Sequence, residues 1–226
     1  MTSIGIICAM SKEYDLLMDN LYNRKKVSDN SFYGTTTSDG GKSVFVTMSG
    51  IGKVNAALCA QKMIDRGVLN IISLGVAGAA DETMQVGDVV IGNSYCYHDV
   101  WCGSPNKPGQ IQGLPSVFPS AFGKCLDKFT NDNHVRFGAI ATGDWFVQTM
   151  EKVEEIKKFL PSTHNLQAID MESAAIAQVC YKENIPFLSV RVISDNPLHP
   201  NQQEQYDGFW DDMAKKSFET LFKIIK

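Results

Sequence analysis

The chain has 226 residues, a length that suits one large α/β domain or two small ones. Hydrophobic residues make up 44% of it, charged residues 20% and aromatic residues 10%, which is the composition of a globular protein and excludes a disordered or fibrous one. The net charge is -4, and the 21 basic side chains are scattered among 25 acidic ones, so a nucleic acid is not expected as a partner.

The sequence pattern also lacks membrane and secretory signals. No apolar stretch reaches the roughly 18 residues of a membrane span. The opening run, MTSIGIICAM, lacks the basic region of a signal peptide and indicates a first strand. The six cysteines occur singly, without a CxxC pair, which favours reduced thiols over disulfides or zinc ligands. We therefore expect a cytoplasmic protein without a membrane partner.

Short β-like runs alternate with helical patterns along the chain. Strands are predicted at residues 4–8, 44–49, 70–76, 88–93, 135–142 and 187–194. Helices are predicted at residues 12–21, 53–66, 121–130, 150–159, 171–183 and near 209–225. Several strands are apolar on both alternating faces, as a sheet covered on both sides requires. The predicted fold is therefore α/β, a single domain over residues 1–226 with a central mixed, mostly parallel twisted sheet flanked by helices on both sides.

Irregular segments rich in glycine interrupt this alternation. Residues 98–120, which are rich in Gly and Pro, are predicted as a long loop of the kind that is often functional or interfacial. Two strand-to-helix turns, SGIGKV (49–54) and LGVAGAA (74–80), would let a ligand or another backbone come close. Neither turn fits the GxGxxG or GxxxxGK[ST] fingerprint, so a purely structural turn remains an alternative for both.

Three acidic residues stand at the ends of predicted elements. Glu13 follows the first strand, Glu172 begins a helix and Asp195 follows the last strand. Each alone could be a helix cap, a turn residue or a solvated charge, as could Asp170 ahead of the same helix. Three carboxylates at one sheet edge would nevertheless oppose folding unless they served a ligand or had shifted pKa values.

Aromatic residues follow one of the predicted strands directly. Trp145 and Phe146 come after a Gly-Asp turn in TGDWFVQT (142–149). Rings at a strand end can belong to the core or can stack on a purine, and the pattern leaves both interpretations open.

Other kinds of catalytic chemistry find little support in the sequence. The four histidines are far apart, at His98, His134, His164 and His199, without an HExxH motif or a Cys/His cluster, so no metal site is predicted. No GxSxG nucleophile elbow is present. A mechanism based on carboxylates is what remains.

Seven segments in order along the chain carry a more specific signal: IGIICAMSKE, SGIGKVNAA, SLGVAGAAD, VGDVVIGNSYCYHD, ATGDWFV, AIDMESAAIAQVC and FLSVRVISD. Together they resemble the 5′-methylthioadenosine/S-adenosylhomocysteine nucleosidases of the nucleoside phosphorylase superfamily. The resemblance implies an N-glycosyl hydrolase that splits 5′-thio-substituted adenosines, a small nucleoside substrate, with water into adenine and a thioribose. It also implies a homodimer and no metal or organic cofactor.

The matching motifs imply a role for individual residues. Glu13 would activate water and Asp195 would protonate N7 of adenine. Glu172 would take the ribose hydroxyls beside Met171, Phe146 would stack on the base, and the backbone of Val147 and Trp145 would read its edge. The full set of substrate-binding residues implied by the resemblance is Ile51, Val76, Ala77, Gly78, Trp145, Phe146, Val147, Met171, Glu172 and Ser194.

Departures from the family pattern keep alternatives open. Val76 stands where the family has a serine in its GSAGG-like turn, and the segment 98–120 is unusual in a region that helps to form the family's 5′ pocket. A phosphorylase would need arginines for phosphate, and none of Arg24, Arg66, Arg136 and Arg191 lies in the glycine-rich turns. Hydrolysis is favoured, while a phosphorylase, a hydrolase of futalosine-type nucleosides and a non-catalytic nucleoside-binding module remain alternatives.

Overall fold

A computed structural model describes residues 4–121, 132–160 and 165–215, together with Phe218 and Phe222. The described strands are β1 (Ile4–Cys8), β2 (Tyr22–Ser28), β3 (Ser31–Thr35), β4 (Ser43–Met48), β5 (Asn70–Ala79), β6 (Val89–Tyr97), β7 (Phe118–Pro119), β8 (Val135–Thr142), β9 (Leu166–Asp170) and β10 (Phe187–Asp195). The described helices are α1 (Ser11–Asp19), α2 (Lys53–Asp65), α3 (Met150–Phe159), α4 (Ser173–Glu183) and α5 (Gln202–Gly208), and a π-helical turn (Phe209–Met213) continues α5. Within these ranges, no helix has both the length and the apolar character needed to cross a membrane.

The strands form one mixed sheet, as predicted, in the order β10-β6-β8-β9-β5-β1-β4-β3-β2, with β7 paired to β6. Its two longest pairings, β5 with β10 and β6 with β8, are parallel. β5 pairs with β10 and also with β9, so β5, β10, β6, β8 and β9 close into a ring. The remaining strands extend the sheet from β5 through β1. A continuous sheet through all of these strands supports the predicted single domain.

Strand β5 changes its partner along one of its two sides. On the side opposite β10, its first half pairs with β1 and its end pairs with β9. The register leaves a gap between the two partners, from Ser73, the last residue paired with β1, to Gly78, the first residue paired with β9. Open α/β sheets bind ligands in crevices of this kind, beyond the carboxyl ends of the strands.

Helices cover both faces of the sheet, which confirms the predicted layers. In β1, Ile7 packs with Ala60 of α2 and Ala174 of α4 in one buried cluster. Its neighbour Ile6 points to the other face and packs with Leu17 of α1 and the C-terminal helical segment in a second cluster. Because successive strand residues alternate between faces, this strand is apolar throughout.

Four described strands were not predicted. β2 (YNRKKVS) is exposed along its whole length and carries four polar or charged residues in sequence, so it lacks the apolar alternation of a half-buried strand. β3, β7 and β9 are short, and β9 ends in the carboxylate Asp170. The predicted loop at 98–120 is irregular apart from β7. Of the helix predicted at 121–130, all but the first position lies outside the described residues. The C-terminal helical segment begins earlier than predicted, at Gln202.

Candidate active site

A cavity of about 370 Å³ opens where β1, β5, β9 and β10 end. Its walls include every residue that the sequence singled out for catalysis or substrate binding: Glu13, Ile51, Val76, Ala77, Gly78, Trp145, Phe146, Val147, Met171, Glu172, Ser194 and Asp195. Sequence reasoning did not assign five further lining residues to the site: Ala9, Met10, Ile169, Asp170 and Tyr206. The structure thus brings together residues that are up to 197 positions apart in the chain, from Ala9 to Tyr206.

Glu13 lies in the first turn of α1 with its carboxylate buried. One oxygen accepts hydrogen bonds from the backbone N–H groups of Ala9 (2.8 Å) and Met10 (3.0 Å), which is the helix-capping role that the sequence left open. The other oxygen accepts the N–H of Val76 at 3.0 Å, in the gap of β5 between its two partner strands. Burial raises the pKa of Glu13, and the charge of Arg191 and these backbone donors oppose that rise.

Gly75 makes room for the Glu13 carboxylate. A Cβ atom at this position would lie 2.6 Å from Glu13 Oε1 and 3.4 Å from Arg191 Nη1. Its neighbour Val76 reaches Glu13 through its backbone N–H, so the valine that replaces the family serine still supports this carboxylate. Position 75 therefore favours glycine because the Glu13 carboxylate lies so close to it, and not because of its backbone conformation.

We expect Gly75→Ala to displace the Glu13 carboxylate and to lower the activity of this site. Overpacking a well-packed interior costs about 1–3 kcal/mol, so the free energy of unfolding should also fall by about this amount. Gly208→Ala is the matched control, because a Cβ there would meet nothing within 4 Å. Steady-state kinetics and denaturant unfolding of both variants check the expectation, which is wrong if Gly75→Ala behaves like the control.

Glu172 stands at the start of α4, where one oxygen accepts the N–H of Gly52 at 3.0 Å. Gly52 lies in the SGIGKV turn with a φ of 96°, a conformation that favours glycine. Burial raises the pKa of Glu172, the negative charge of Asp170 adds to the rise, and Arg191 opposes it. The SGIGKV turn therefore has a defined task, which is to present a backbone donor to this carboxylate.

Asp195 ends β10 with its side chain buried. Its Oδ1 accepts a hydrogen bond from Ser194 Oγ at 2.6 Å, and its Oδ2 accepts one from Gln202 Nε2 at 2.7 Å. Burial raises the pKa of Asp195 above that of an ordinary aspartic acid, and the two donors oppose the rise. The next residue, Asn196, makes a turn, since its side-chain oxygen accepts the N–H of Leu198.

A buried ion pair lies beneath the cavity. Nε and Nη2 of Arg191 are each 2.9 Å from Asp170 Oδ2, and Nη2 also donates to Ser73 Oγ at 3.0 Å. Asp170 in addition accepts bonds from the backbone N–H and the hydroxyl of Ser173, the first residue of α4, which is the capping alternative that the sequence left open. The charge of Arg191 favours the ionised forms of Glu13 and Glu172. Sequence reasoning missed this pair, although a charged residue in the middle of an apolar strand is itself a signal of a buried partner.

Aromatic side chains form one wall of the cavity. Phe146 is 43% exposed and Trp145 is 58% exposed, which excludes the core interpretation for these two rings. Tyr206 of α5 meets Phe146 edge to face, with ring centroids 5.3 Å apart. Val147, directly after the two rings, is buried and anchors the segment. An apolar ring face is thus available next to the carboxylates.

The comparisons with known proteins agree with this geometry. The family described as the phosphorylase superfamily matches residues 3–226, and this is the class of protein to which the fold and the cavity point. A 5′-methylthioadenosine/S-adenosylhomocysteine nucleosidase of Staphylococcus aureus is 34% identical over 231 aligned positions, which cover 98% of both chains.

Solved structures give the same result. The nucleosidase of this name from Neisseria meningitidis, in complex with methylthio-immucillin-A, superimposes with a TM-score of 0.86 at 32% identity, over 100% of this chain and 99% of the other. A futalosine hydrolase of Helicobacter pylori superimposes with a TM-score of 0.82 at 27% identity, over 98% of this chain and 96% of the other. The chain belongs to the 5′-methylthioadenosine/S-adenosylhomocysteine nucleosidase family.

Family membership confirms two predictions from the sequence, the resemblance itself and the assignment to the N-glycosyl hydrolases. The roles of the individual residues are a separate matter. Their position around one cavity is observed, whereas what each of them does there stays a prediction.

Proposed function

We propose that this protein hydrolyses the N-glycosidic bond of 5′-thio-substituted adenosines, methylthioadenosine, S-adenosylhomocysteine or both, and releases adenine and a thioribose. The observation that carries the proposal is the pair of buried carboxyl groups, Glu13 and Asp195, on the walls of one cavity that also contains the exposed ring of Phe146. Glu13 accepts three backbone N–H groups, whereas Asp195 accepts two side-chain donors. Two carboxyl groups in different environments are a recurring arrangement for acid and base roles.

Asp195 is the proposed general acid. Adenine leaves slowly as an anion, and a proton delivered to N7 makes it a neutral leaving group. An ordinary aspartic acid, with a pKa of about 3.9, is almost fully ionised at pH 7. Burial at the end of β10 raises the pKa of Asp195, which keeps a larger fraction of it protonated before the reaction. A positioned acid of this kind contributes roughly 10²- to 10⁴-fold to the rate.

Glu13 is the proposed base that takes a proton from the attacking water. Its burial works against the ionised state that this role needs, but three backbone N–H groups and the charge of Arg191 work in favour of that state. The same negative charge would stabilise an oxocarbenium-like sugar in the transition state.

The remaining lining residues are proposed to hold the nucleoside. Glu172 would accept hydrogen bonds from the ribose hydroxyls while Gly52 fixes one of its oxygens, with Met171 beside it. The face of Phe146 would stack on the base, and the backbone of Val147 and Trp145 would read its edge. The Lys53 N–H donates to Asp144 at 2.8 Å, which ties the turn that supports Glu172 to the segment that carries these rings.

Water is the proposed acceptor of the sugar, because the cavity is poorly suited to phosphate. Of the residues that the structure describes, no arginine lines the cavity. The guanidinium of Arg191, beneath it, is engaged by Asp170 and Ser73. The Val76 N–H, at the glycine-rich turn, already donates to Glu13, whose charge would repel an incoming anion.

The experiment that tests the proposal is incubation of the purified protein with methylthioadenosine and with S-adenosylhomocysteine, with and without inorganic phosphate, while free adenine is measured. We expect release of adenine at a rate that does not depend on phosphate. Phosphate-dependent release would move the assignment to a phosphorylase. Binding of adenine analogues without any turnover would instead indicate a nucleoside-binding module.

A futalosine-type nucleoside is the second candidate substrate. The structural similarity to a futalosine hydrolase at a TM-score of 0.82 favours it, and the unusual segment 98–120 lies in the region that forms the 5′ pocket of the family. The same assay with futalosine, in which release of its purine base is followed, compares the two classes through their kcat/KM values. A higher value for futalosine would make it the preferred substrate.

We further propose that the protein is a homodimer in the cytoplasm. Val54 and Leu58 lie one turn apart on α2 with 70% and 54% of their surface exposed, and Trp101 is 60% exposed. Lys53 Nζ lies 2.6 Å from Asp99 Oδ2, so α2 and the segment of Trp101 share one side of the molecule. A second copy of the chain would cover this apolar surface. Buried cysteines outside any disulfide, such as Cys59 and Cys180, support a reducing compartment.

Leu58→Glu is expected to dissociate this dimer, because it places a charge in the proposed apolar interface. Leu69→Glu is the matched control, since Leu69 is 53% exposed and lies outside the surface formed by Val54, Leu58 and Trp101. Light scattering on a sizing column measures the mass of each variant. A monomeric wild-type protein, or a dimer that Leu58→Glu leaves intact, would reject this interface.

A further inference from the structure

Gln202 connects α5 to the proposed general acid. Its side chain is buried at the first position of α5, and its Nε2 donates to Asp195 Oδ2 at 2.7 Å. Gln202 is not among the residues that line the cavity, so it contacts Asp195 from the side that faces away from the cavity. It lies one helical turn before Tyr206, which does line the cavity, so α5 contacts both the acid and the aromatic wall.

The connection between β10 and α5 holds Gln202 in this place. The backbone N–H of Asn196 donates to the side-chain oxygen of Gln205 at 2.8 Å. The Asn196 amide group donates to the carbonyl oxygens of Asp81 and Met84, at 3.1 and 3.0 Å. These bonds fix the start of α5 relative to the strand that ends in Asp195. The Gln202 side chain is therefore preorganised for its hydrogen bond to Asp195.

Two donors on different oxygens fix the plane of a carboxyl group. The terminal torsion of an aspartate side chain is broad and roughly two-fold, so a single hydrogen bond leaves the group free to turn. Asp195 accepts from Ser194 on one oxygen and from Gln202 on the other. Both bonds strengthen when the carboxyl group loses its proton, because a charged acceptor binds a donor more strongly than a neutral one.

We propose that Gln202 is a positioning residue for proton transfer: it holds the carboxyl group of Asp195 in the productive orientation and stabilises the carboxylate that remains once the proton has left. This inference rests on the proposed function. In the step concerned, the proton passes from Asp195 to N7 as the electron pair of the C1′–N9 bond moves into adenine. Water then bonds to C1′ and gives its proton to Glu13.

The groups packed around Asp195 limit what else could tune it. Ser194 faces it from β10, and Gln202 and Tyr206 approach from α5, where the phenol of Tyr206 carries no charge and burial raises its pKa further. Gly78 of β5 lies close to Oδ2, where a Cβ would be 3.5 Å away. Besides Ser194, Gln202 is therefore the side chain whose removal should change the behaviour of the acid most directly.

The test compares Gln202→Met, which keeps the length of the side chain and removes the donor, with Gln203→Met, the same change at the next, exposed position of α5. We expect Gln202→Met to lower kcat by roughly 10- to 100-fold, the rate equivalent of one hydrogen bond to a charged group. KM should change little, because Gln202 does not line the cavity. Loss of the donor disfavours the carboxylate, so the alkaline limb of the kcat–pH profile should move to higher pH.

Gln202→Glu is the second variant and keeps the polar character of the site if the methionine disturbs folding. A carboxyl group next to Asp195 raises the pKa of the pair, so the alkaline limb should again move to higher pH. The inference is overturned if neither Gln202 variant moves this limb, or if both match Gln203→Met in kcat. Failure of the proposed function looks different, because wild type and Gln203→Met would then release no adenine, or Asp195→Asn would retain full activity.

Discussion

Asp195→Asn is expected to leave the fold intact and to lower kcat for adenine release by roughly 10²- to 10⁴-fold, the usual contribution of a general acid. The asparagine amide has the shape of the carboxyl group but no proton of comparable acidity to give to N7. Substrate affinity should change far less than kcat, since the cavity keeps its shape. Asp207→Asn, at an exposed position of α5, is the control for a change of charge in this region. Full activity of Asp195→Asn would reject the role of this residue as the acid.

The stability of the same variant should depend on pH in a defined direction. Burial raises the pKa of Asp195 in the folded protein, so the folded state binds more protons than the unfolded state between the two pKa values. The wild-type protein therefore loses stability as the pH rises from the pKa of Asp195 in the unfolded chain, about 3.9, through its raised pKa in the folded protein. Asparagine does not titrate. The free energy of unfolding of Asp195→Asn, relative to wild type, should increase across this window in denaturant titrations at several pH values.

Glu13→Gln is expected to abolish most turnover by a different route. The amide cannot take a proton from water, which removes roughly 10²- to 10⁴-fold. In the wild-type protein, the two carboxylate oxygens of Glu13 accept N–H groups from Ala9, Met10 and Val76. The NH2 group of the glutamine replaces one of these oxygens and therefore faces a backbone donor. At least one buried donor loses its acceptor, at a cost of about 1–3 kcal/mol in the free energy of unfolding.

The control for Glu13→Gln is Asp15→Asn, two positions later on the exposed face of α1. Kinetics and denaturant unfolding of both variants separate the chemical effect from the structural one. The residual activity of Glu13→Gln should lack the acidic limb of the pH profile, which depends on the ionised base. A pH profile and a turnover equal to those of Asp15→Asn would contradict the proposed role of Glu13.

The buried strands of the fold could be predicted from the sequence, because their apolar runs are long and flanked by turns. β1 and β8 have the predicted bounds, and β10 extends the prediction by a single residue, Asp195. The ring within the sheet could not be predicted. It depends on the pairing of β5 with both β9 and β10, and long-range pairing leaves no local periodicity. β2 was missed for a different reason, since an exposed hairpin strand has no apolar face to detect.

The candidate site could be predicted to a large extent, but from the resemblance more than from pattern. Pattern alone left Asp195 as a turn residue and Phe146 as a possible core ring, and only the combined motifs assigned them to one site. The supporting contacts were not predictable: Gly52 to Glu172, Arg191 to Asp170 and Gln202 to Asp195. Each of them joins distant elements or depends on the path of a loop, which single-sequence reasoning does not give.

We propose that water, and not phosphate, receives the sugar when the N-glycosidic bond breaks. The most direct measurement is the reaction of methylthioadenosine with the wild-type protein in oxygen-18-labelled water that also contains inorganic phosphate, followed by mass spectrometry of both products. Hydrolysis predicts one labelled oxygen in the thioribose, no label in the adenine and no sugar phosphate. A thioribose 1-phosphate, or the absence of any adenine, would contradict it.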